Sequence, residues 1–209
     1  MISYFQKLKN NKRPVSPQAG MTYVELIVVL GIFAIMSNIV LFSYQTFQAK
    51  VDIKNLINDI ALKIVEAQKA ASSGILPPSG KLSLISSSWK PSYGIYINRA
   101  QDNKSFIYFV DINNNNLYDD SDCTEECLDK INITKGNSIS SLDVFYQGSN
   151  TPVSLNNVTL TFVRPDVGAV IRSASSLDPG IAYVQITAIS PQSVTAKIKL
   201  YPSGRIQIN

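Results

Sequence analysis

A long apolar run near the amino terminus constrains the fold of this 209-residue chain more than any other feature. Residues 21–42 contain a single charged side chain, Glu25, and a single amide side chain, Asn38. About 20 apolar residues span the hydrocarbon core of a bilayer as a helix, so this segment is just long enough. A carboxylate near the centre of such a helix costs about 2.5–3.5 kcal/mol. We therefore expect a membrane helix over 21–42 in which Glu25 has a partner.

A basic leader, residues 1–20, precedes this run. Four of the 19 basic residues of the chain lie in it, which leaves 15 basic and 15 acidic residues in the remainder. The leader fits the positive-inside rule, and the neutral remainder does not favour a nucleic-acid-binding body. A secretory signal would place small residues after its apolar stretch, whereas Ala19 and Gly20 stand before it. An uncleaved signal anchor remains the alternative.

The helix is predicted to continue as an amphipathic segment over 43–74. Apolar residues recur there at steps of three and four, and charged and amide residues fill most of the other positions. Ser72, Ser73 and Gly74 form a stop signal, and Pro77 and Pro78 prevent resumption. The apolar stripe comprises Val51, Ile53, Leu56, Ile57, Ile60, Ala61, Ile64, Ala67 and Ala71.

Over residues 75–209, apolar residues recur at every second position instead. Short segments rich in Ile, Val, Tyr, Phe and Thr alternate with Ser, Asn, Gly and Pro, which is typical of strands and turns. The predicted strands include Leu82–Ile85 and Tyr93–Asn98, and residues 201–205 predict a tight hairpin between the last two. Because the connections are too short for crossover helices, the sheet should be antiparallel. The predicted fold class is therefore α+β, with a long amino-terminal helix on an antiparallel β-sheet head.

Gly20, Glu25 and the apolar run together resemble the amino-terminal signal of type IV prepilins and pseudopilins. The resemblance implies that a membrane prepilin peptidase cuts between Gly20 and Met21 and that the amino group of Met21 is then methylated. Glu25 becomes the fifth residue of the mature chain, where it would dock the subunit to the filament and pair with a neighbour's amino terminus. The family usually begins its mature chain with Phe, so Met21 is a departure from the pattern.

The β-rich body resembles the minor pseudopilins of type II secretion and their relatives in type IV pilus systems. The resembling segments are 93–98, 105–120 and the closing hairpin. This implies a structural, non-enzymatic subunit that crosses the cytoplasmic membrane once, with its head outside the cytoplasm. The subunit would later become part of a periplasmic or extracellular filament. Its implied partners are other pilin subunits, the peptidase, the inner-membrane assembly platform and lipid. Many major pilins carry a Pro near the position of Phe42, and its absence here favours a minor subunit.

An acidic, Asn-rich loop has the spacing of an EF-hand-type Ca²⁺ loop. Its oxygen-bearing positions 1, 3, 5, 7, 9 and 12 are Asp111, Asn113, Asn115, Leu117 through its backbone carbonyl, Asp119 and Asp122. Asn116 stands where Gly is usual, and Asn is the next residue most able to adopt a left-handed turn. The alternative is a polar hairpin tip with no ion, since Asn and Asp favour turns.

Two cysteines, Cys123 and Cys127, follow this loop directly. A head outside the cytoplasm favours a disulfide between them. Free thiols and a metal pair remain alternatives, although two Cys without His make a poor zinc site.

Two other function classes can be weighed from the sequence. A DNA- or surface-binding minor pilin acting in uptake or adhesion would use cations near the carboxyl end, but a few cations in a neutral chain argue against nucleic acid as a partner. An enzyme is disfavoured because the chain has no His and no nucleophile–base signature. The cations in question are Arg164, Arg172, Lys197, Lys199 and Arg205.

Overall fold

The computed structural model describes residues 20–166, 168–175 and 177–209. The predicted leader, apart from Gly20, lies outside the described residues. The chain divides into two compact units, with the boundary between Ser43 and Tyr44, and each unit is described by itself below. One helix, α1 (Tyr23–Ser72), begins in the first unit and ends in the second.

In the first unit, α1 exposes its apolar side chains on every side. Phe33, Val40 and Phe42, for example, are 65–72% exposed. The most apolar 18-residue window of α1 has a mean hydropathy of 2.5, and none of it is buried in the protein. Among the described residues, this is the one helix long and apolar enough to cross a membrane. The core helix of a soluble protein would instead be mostly buried.

In the second unit, α1 buries a single stripe of small and aliphatic side chains. The predicted stripe is confirmed for seven of its nine members, whereas Val51 is 37% exposed and Ala61 is half-buried. The helix ends as predicted, because Gly74 adopts a left-handed φ of 67° and the amide of Ile75 donates to the carbonyl oxygen of Ala70. The buried residues of α1 are Ala49, Ile53, Leu56, Ile57, Ile60, Ile64, Ala67, Ala70 and Ala71.

The strands form two antiparallel five-stranded sheets, which confirms the predicted α+β class. The first sheet has the order β3-β2-β1-β6-β7, and the second has the order β10-β9-β8-β4-β5. Apolar side chains from the inner faces of both sheets and the buried stripe of α1 form one core. The strands are β1 (Ser92–Asn98), β2 (Ser105–Val110), β3 (Cys127–Asn132), β4 (Ser138–Tyr146), β5 (Val153–Ser154), β6 (Asn157–Val163), β7 (Ala169–Arg172), β8 (Ile181–Ile189), β9 (Thr195–Leu200) and β10 (Ile206–Ile208).

The predicted strand at Leu82–Ile85 is wrong. A short 3₁₀ turn, Ser79–Lys81, is followed there by further turns, and Leu82 and Leu84 are 41% and 47% exposed. Alternation alone suggested a strand, but no neighbouring strand pairs with this segment in the described structure. The predicted closing hairpin is confirmed: the amide of Gly204 donates to the carbonyl oxygen of Tyr201, and β9 pairs with β10.

The buried stripe yields a prediction with a matched control on the same helix. Ile57 is fully buried, whereas Leu62, five residues later, is 64% exposed. Ile57→Ala should lower the free energy of unfolding by about 2–5 kcal/mol, because it leaves a cavity between helix and sheets. Leu62→Ala should change it by less than about 0.5 kcal/mol. Chemical denaturation of both variants in detergent measures the difference, and equal losses would contradict the placement of the core.

Candidate functional sites

The predicted processing site lies at the start of the described chain. Gly20 is exposed, and apart from its chain neighbours no atom of the described residues lies within 4 Å of the position where a Cβ would stand. Thr22 caps the helix, since its hydroxyl oxygen accepts a hydrogen bond from the amide of Glu25 at 3.2 Å. Glu25 lies in the first turn, where a negative charge suits the helix dipole. Within the described part of the chain, no hydrogen bond or ion pair involves its carboxylate.

The acidic loop is built around a buried carboxylate, Asp111, which directly follows β2. Its two oxygens accept hydrogen bonds from the backbone amides of Asn115 and Asn116, at 3.2 Å and 2.9 Å, and from the hydroxyl of Ser92 at 3.1 Å. Burial raises the pKa of Asp111, although these bonds oppose the rise. Asp111 therefore fixes the path of the first half of the loop.

Three predicted ligand residues come together in the middle of the loop. The side-chain amide of Asn113 donates to the carboxylate of Asp119 at 3.2 Å, and the amide of Asn115 donates to the same carboxylate oxygen. Asn116 adopts the expected left-handed conformation, with φ of 64°. Its side-chain oxygen is buried and accepts no hydrogen bond from any described residue. Asn113 and Asn115 thus meet through the carboxylate of Asp119, and the buried side-chain oxygen of Asn116 has no donor among the described residues.

An acid that the motif spacing did not predict, Glu126, is also part of the loop. It is only 4% exposed, and its carboxylate accepts hydrogen bonds from the amides of Ile112 and Asp119, both at 3.2 Å. Burial first, and then the nearby charges of Asp111 and Asp119, raise the pKa of Glu126 to about 7. The predicted ligand Asp122 is exposed, and its backbone amide bonds to Asp120. Only the pairing of β2 with β3, which sets Glu126 beside Val110, reveals this acid.

A second carboxylate missed from sequence, Asp120, organises the segment that closes the loop. One of its oxygens accepts hydrogen bonds from the amides of Glu125, Glu126 and Cys127, at 2.8–3.2 Å. Burial would raise the pKa of Asp120, but these amides and that of Thr124 outweigh burial and lower it. The predicted disulfide between Cys123 and Cys127 is present, with a Cα–Cα distance of 4.7 Å. It closes the same five-residue turn that Asp120 holds.

The predicted basic residues divide between the two sheets. Lys197 and Lys199 lie on β9 and Arg205 follows in the closing hairpin, whereas Arg172 ends β7 in the other sheet. Arg164 packs against Gly74 at the end of α1, where a Cβ would stand 2.4 Å from a guanidinium nitrogen. The five cations therefore do not form one continuous patch.

Two of these cations stand beside a row of aromatic rings on the second sheet. The rings of Phe145 and Tyr183 stack with centroids 4.6 Å apart, and Tyr201 follows at 5.5 Å from Tyr183. The ammonium of Lys199 lies 4.6 Å from the Tyr183 ring, and the guanidinium of Arg205 lies 3.9 Å from the Tyr201 ring. We call these five residues the aromatic row. Sequence alternation does not reveal it, because its members come from three strands and a turn.

Comparisons with known proteins add no identification: no family model, no curated protein and no solved structure matches this chain. Among residues 20–166, 168–175 and 177–209, no group of three or more His, Cys, Asp or Glu side chains is arranged to hold a metal ion. A Ca²⁺ loop, however, also draws on amide and carbonyl oxygens. The candidate donor set of the acidic loop is of that kind, because it comprises two Asn amides, a backbone carbonyl and the exposed carboxylate of Asp119.

Proposed function

We propose that this chain is a non-enzymatic subunit of a type IV pilus-like or pseudopilus filament, held in the cytoplasmic membrane before assembly. The observation that carries the proposal is the division of α1 into two chemically different halves. Its amino-terminal half exposes apolar side chains all round, and its other half buries one stripe in the β head. The amino-terminal half of such a helix can contact lipid or pack against other helices, while its other half packs against the β head of the same chain.

Glu25 supplies the specific chemistry of this proposal. Its carboxylate lies in an otherwise apolar segment, and no described side chain neutralises it. After a cut between Gly20 and Met21, the new amino group of a neighbouring subunit would offer the opposite charge. Two such charges about 4 Å apart attract by about 4 kcal/mol at an effective dielectric constant of 20. The pairing would fix the step between adjacent subunits along the filament.

Variants at Glu25 can separate this charge pairing from simple capping of the helix. Glu25→Ala and Glu25→Gln should each reduce the subunit in the filament fraction by at least about tenfold, because both lose the charge. Gln retains the hydrogen-bonding capacity of a capping box, so capping alone would leave Glu25→Gln normal. Immunoblots of sheared filaments from the native host measure incorporation.

Two further variants serve as controls for this experiment. Thr22→Ala removes the cap but keeps the acid, and it should assemble normally. Gly20→Val should leave an uncut precursor, seen as a heavier band that stays in the membrane fraction. Normal incorporation of Glu25→Gln would contradict the charge pairing, and normal processing of Gly20→Val would contradict the cut site.

We also propose that the acidic loop binds Ca²⁺. Asn113, Asn115, Asp119 and the carbonyl of Leu117 would hold the ion, while Asp111 and Glu126 hold the loop backbone. The convergence of the Asn113 and Asn115 side chains on the carboxylate of Asp119 supports this. Bound Ca²⁺ would neutralise the carboxylates and tie the loop to the β head.

Calorimetric titration of the chelator-treated full-length chain in detergent tests the calcium proposal. Ca²⁺ should release or absorb heat and raise the melting temperature, and Asp119→Asn should weaken binding by at least about tenfold. Asp178→Asn, an exposed acid outside the loop, is the control and should bind as the wild type does. Glu126→Gln should weaken binding more than Asp122→Asn. Absence of both heat and thermal shift in the wild type would rule the site out.

A second candidate function, binding of DNA or another polyanion, draws on the aromatic row. Aromatic rings flanked by cations suit stacking of single-stranded bases. Gel shifts with a single-stranded oligonucleotide test this, and Lys199→Ala combined with Arg205→Ala should weaken binding and reduce its salt dependence. Arg172→Ala, on the other sheet, is the matched control. An equal loss of oligonucleotide binding in Arg172→Ala, or no gel shift with the wild-type chain, would contradict a role for the aromatic row.

A further inference from the structure

A groove of about 510 Å³ lies between α1 and one edge of the second sheet, within the size range of ligand pockets. Residues 47–58 of α1 form one side, and the residues around the start of β9 and the end of β10 form the other. Neither the acidic loop nor the aromatic row contributes a residue to this groove.

The groove leaves apolar side chains of the β head in contact with solvent. Ile208 on β10 pairs across the strands with Ile198, which is fully buried, and yet Ile208 is 46% exposed. On the helix side, Phe47 and Val51 are 63% and 37% exposed, above the buried side chain of Ile57. The core is therefore open along this edge, where α1 does not cover the last strand.

Two lysines on the helix side give the groove a positive charge. Lys50 and Lys54 are exposed and lie one helical turn apart, and no Asp or Glu side chain lines the groove. Within the described part of the chain, neither ammonium group forms an ion pair. Like charges at this spacing destabilise a helix, and no acid stands three or four positions from either lysine to offset this.

The position of the lysines in the sequence indicates where their partner comes from. They follow Phe42, the last residue of the apolar run, by eight and twelve residues within the same helix. Basic pockets that adjoin membrane-spanning helices bind anionic lipid headgroups. Buried apolar area adds to that attraction at a membrane surface. A phospholipid with an anionic headgroup supplies both an acyl chain and a phosphate.

Other occupants satisfy only half of the groove. A free anion would pair with the lysines but would leave Phe47 and Ile208 in water. The apolar half of α1 from a second copy would cover these side chains, but its one carboxylate, that of Glu25, is already assigned to an amino terminus. The ammonium groups of Lys50 and Lys54 would then be buried without a partner, which is costly.

We propose that this groove binds one anionic phospholipid of the surrounding membrane. The phosphate oxygens accept hydrogen bonds from Lys50 and Lys54, and an acyl chain covers Phe47, Val51 and Ile208. The proposal rests on the membrane placement of the subunit given above, but it does not require cleavage or assembly.

Native mass spectrometry of the full-length chain, released from a neutral detergent, tests this. The probes are dioleoyl phosphatidylglycerol, dioleoyl phosphatidylcholine with the same acyl chains, and glycerol phosphate without them. The chain should retain one phosphatidylglycerol at least about tenfold more tightly than phosphatidylcholine. Lys50→Ala combined with Lys54→Ala should remove this preference, and Ile208→Ser should weaken retention of both lipids at least about threefold.

The controls separate the site from general charge and from folding. Lys90→Ala combined with Lys104→Ala removes two exposed lysines outside the groove and should bind as the wild type does. Lys50→Arg combined with Lys54→Arg should keep the preference, and all these lysine variants should keep the wild-type melting temperature.

Four results would overturn the proposal. They are equal retention of the two lipids, an equal loss in the control pair of lysines, retention of glycerol phosphate as tight as that of phosphatidylglycerol, and a dimer that excludes lipid. Because the measurement uses the uncut, unassembled chain, each of these results is distinct from a failure of the filament proposal, which the Glu25 variants test.

Discussion

The β head depends on the burial of one helical stripe against two sheets at once. Ile57, Ile60 and Ile64 are completely buried, and the same core takes side chains from the inner faces of both sheets. Each fully buried aliphatic side chain contributes about 1.5–3 kcal/mol. Because the helix and the inner faces are committed to this core, binding chemistry is confined to the outer faces, the loops, the rim of the core and the exposed half of α1.

Each outer face carries a different kind of chemistry. On the first sheet, the acidic loop folds back over the strands, where the ring of Tyr118 packs against the rings of Tyr96 and Phe109. On the second sheet, Lys199 and Arg205 stand against aromatic rings. The loop keeps its shape through few groups, since Asp111, Asp120 and Glu126 together accept most of its backbone amides. Loss of one of these carboxylates would leave several amides unpaired, whereas loss of one ring would leave the backbone intact.

Periodicity predicted the helix, its end at Gly74 and nearly all the strands, because these features follow from local apolar spacing. It failed at residues 82–85, where alternation occurs without a strand to pair with, and it missed the two-residue strand β5. The division into two sheets was also not predicted, since pairing joins residues far apart in the chain. The same limit applies to the loop: spacing predicted the left-handed turn at Asn116, but Glu126 enters only through the pairing of β2 with β3.

The exposed apolar half of α1 determines how the purified polypeptide behaves in water. Side chains such as Ile35, Met36 and Ile39 are each more than 60% exposed. Exposure of apolar surface to water costs about 25 cal/mol per Å², so this half of α1 is unfavourable in aqueous solution. Without lipid, detergent or other copies of the chain around this half of α1, the purified protein should aggregate through its exposed apolar side chains while each β head stays folded. Turbidity would then measure association of the amino-terminal half of α1 and not unfolding of the β head.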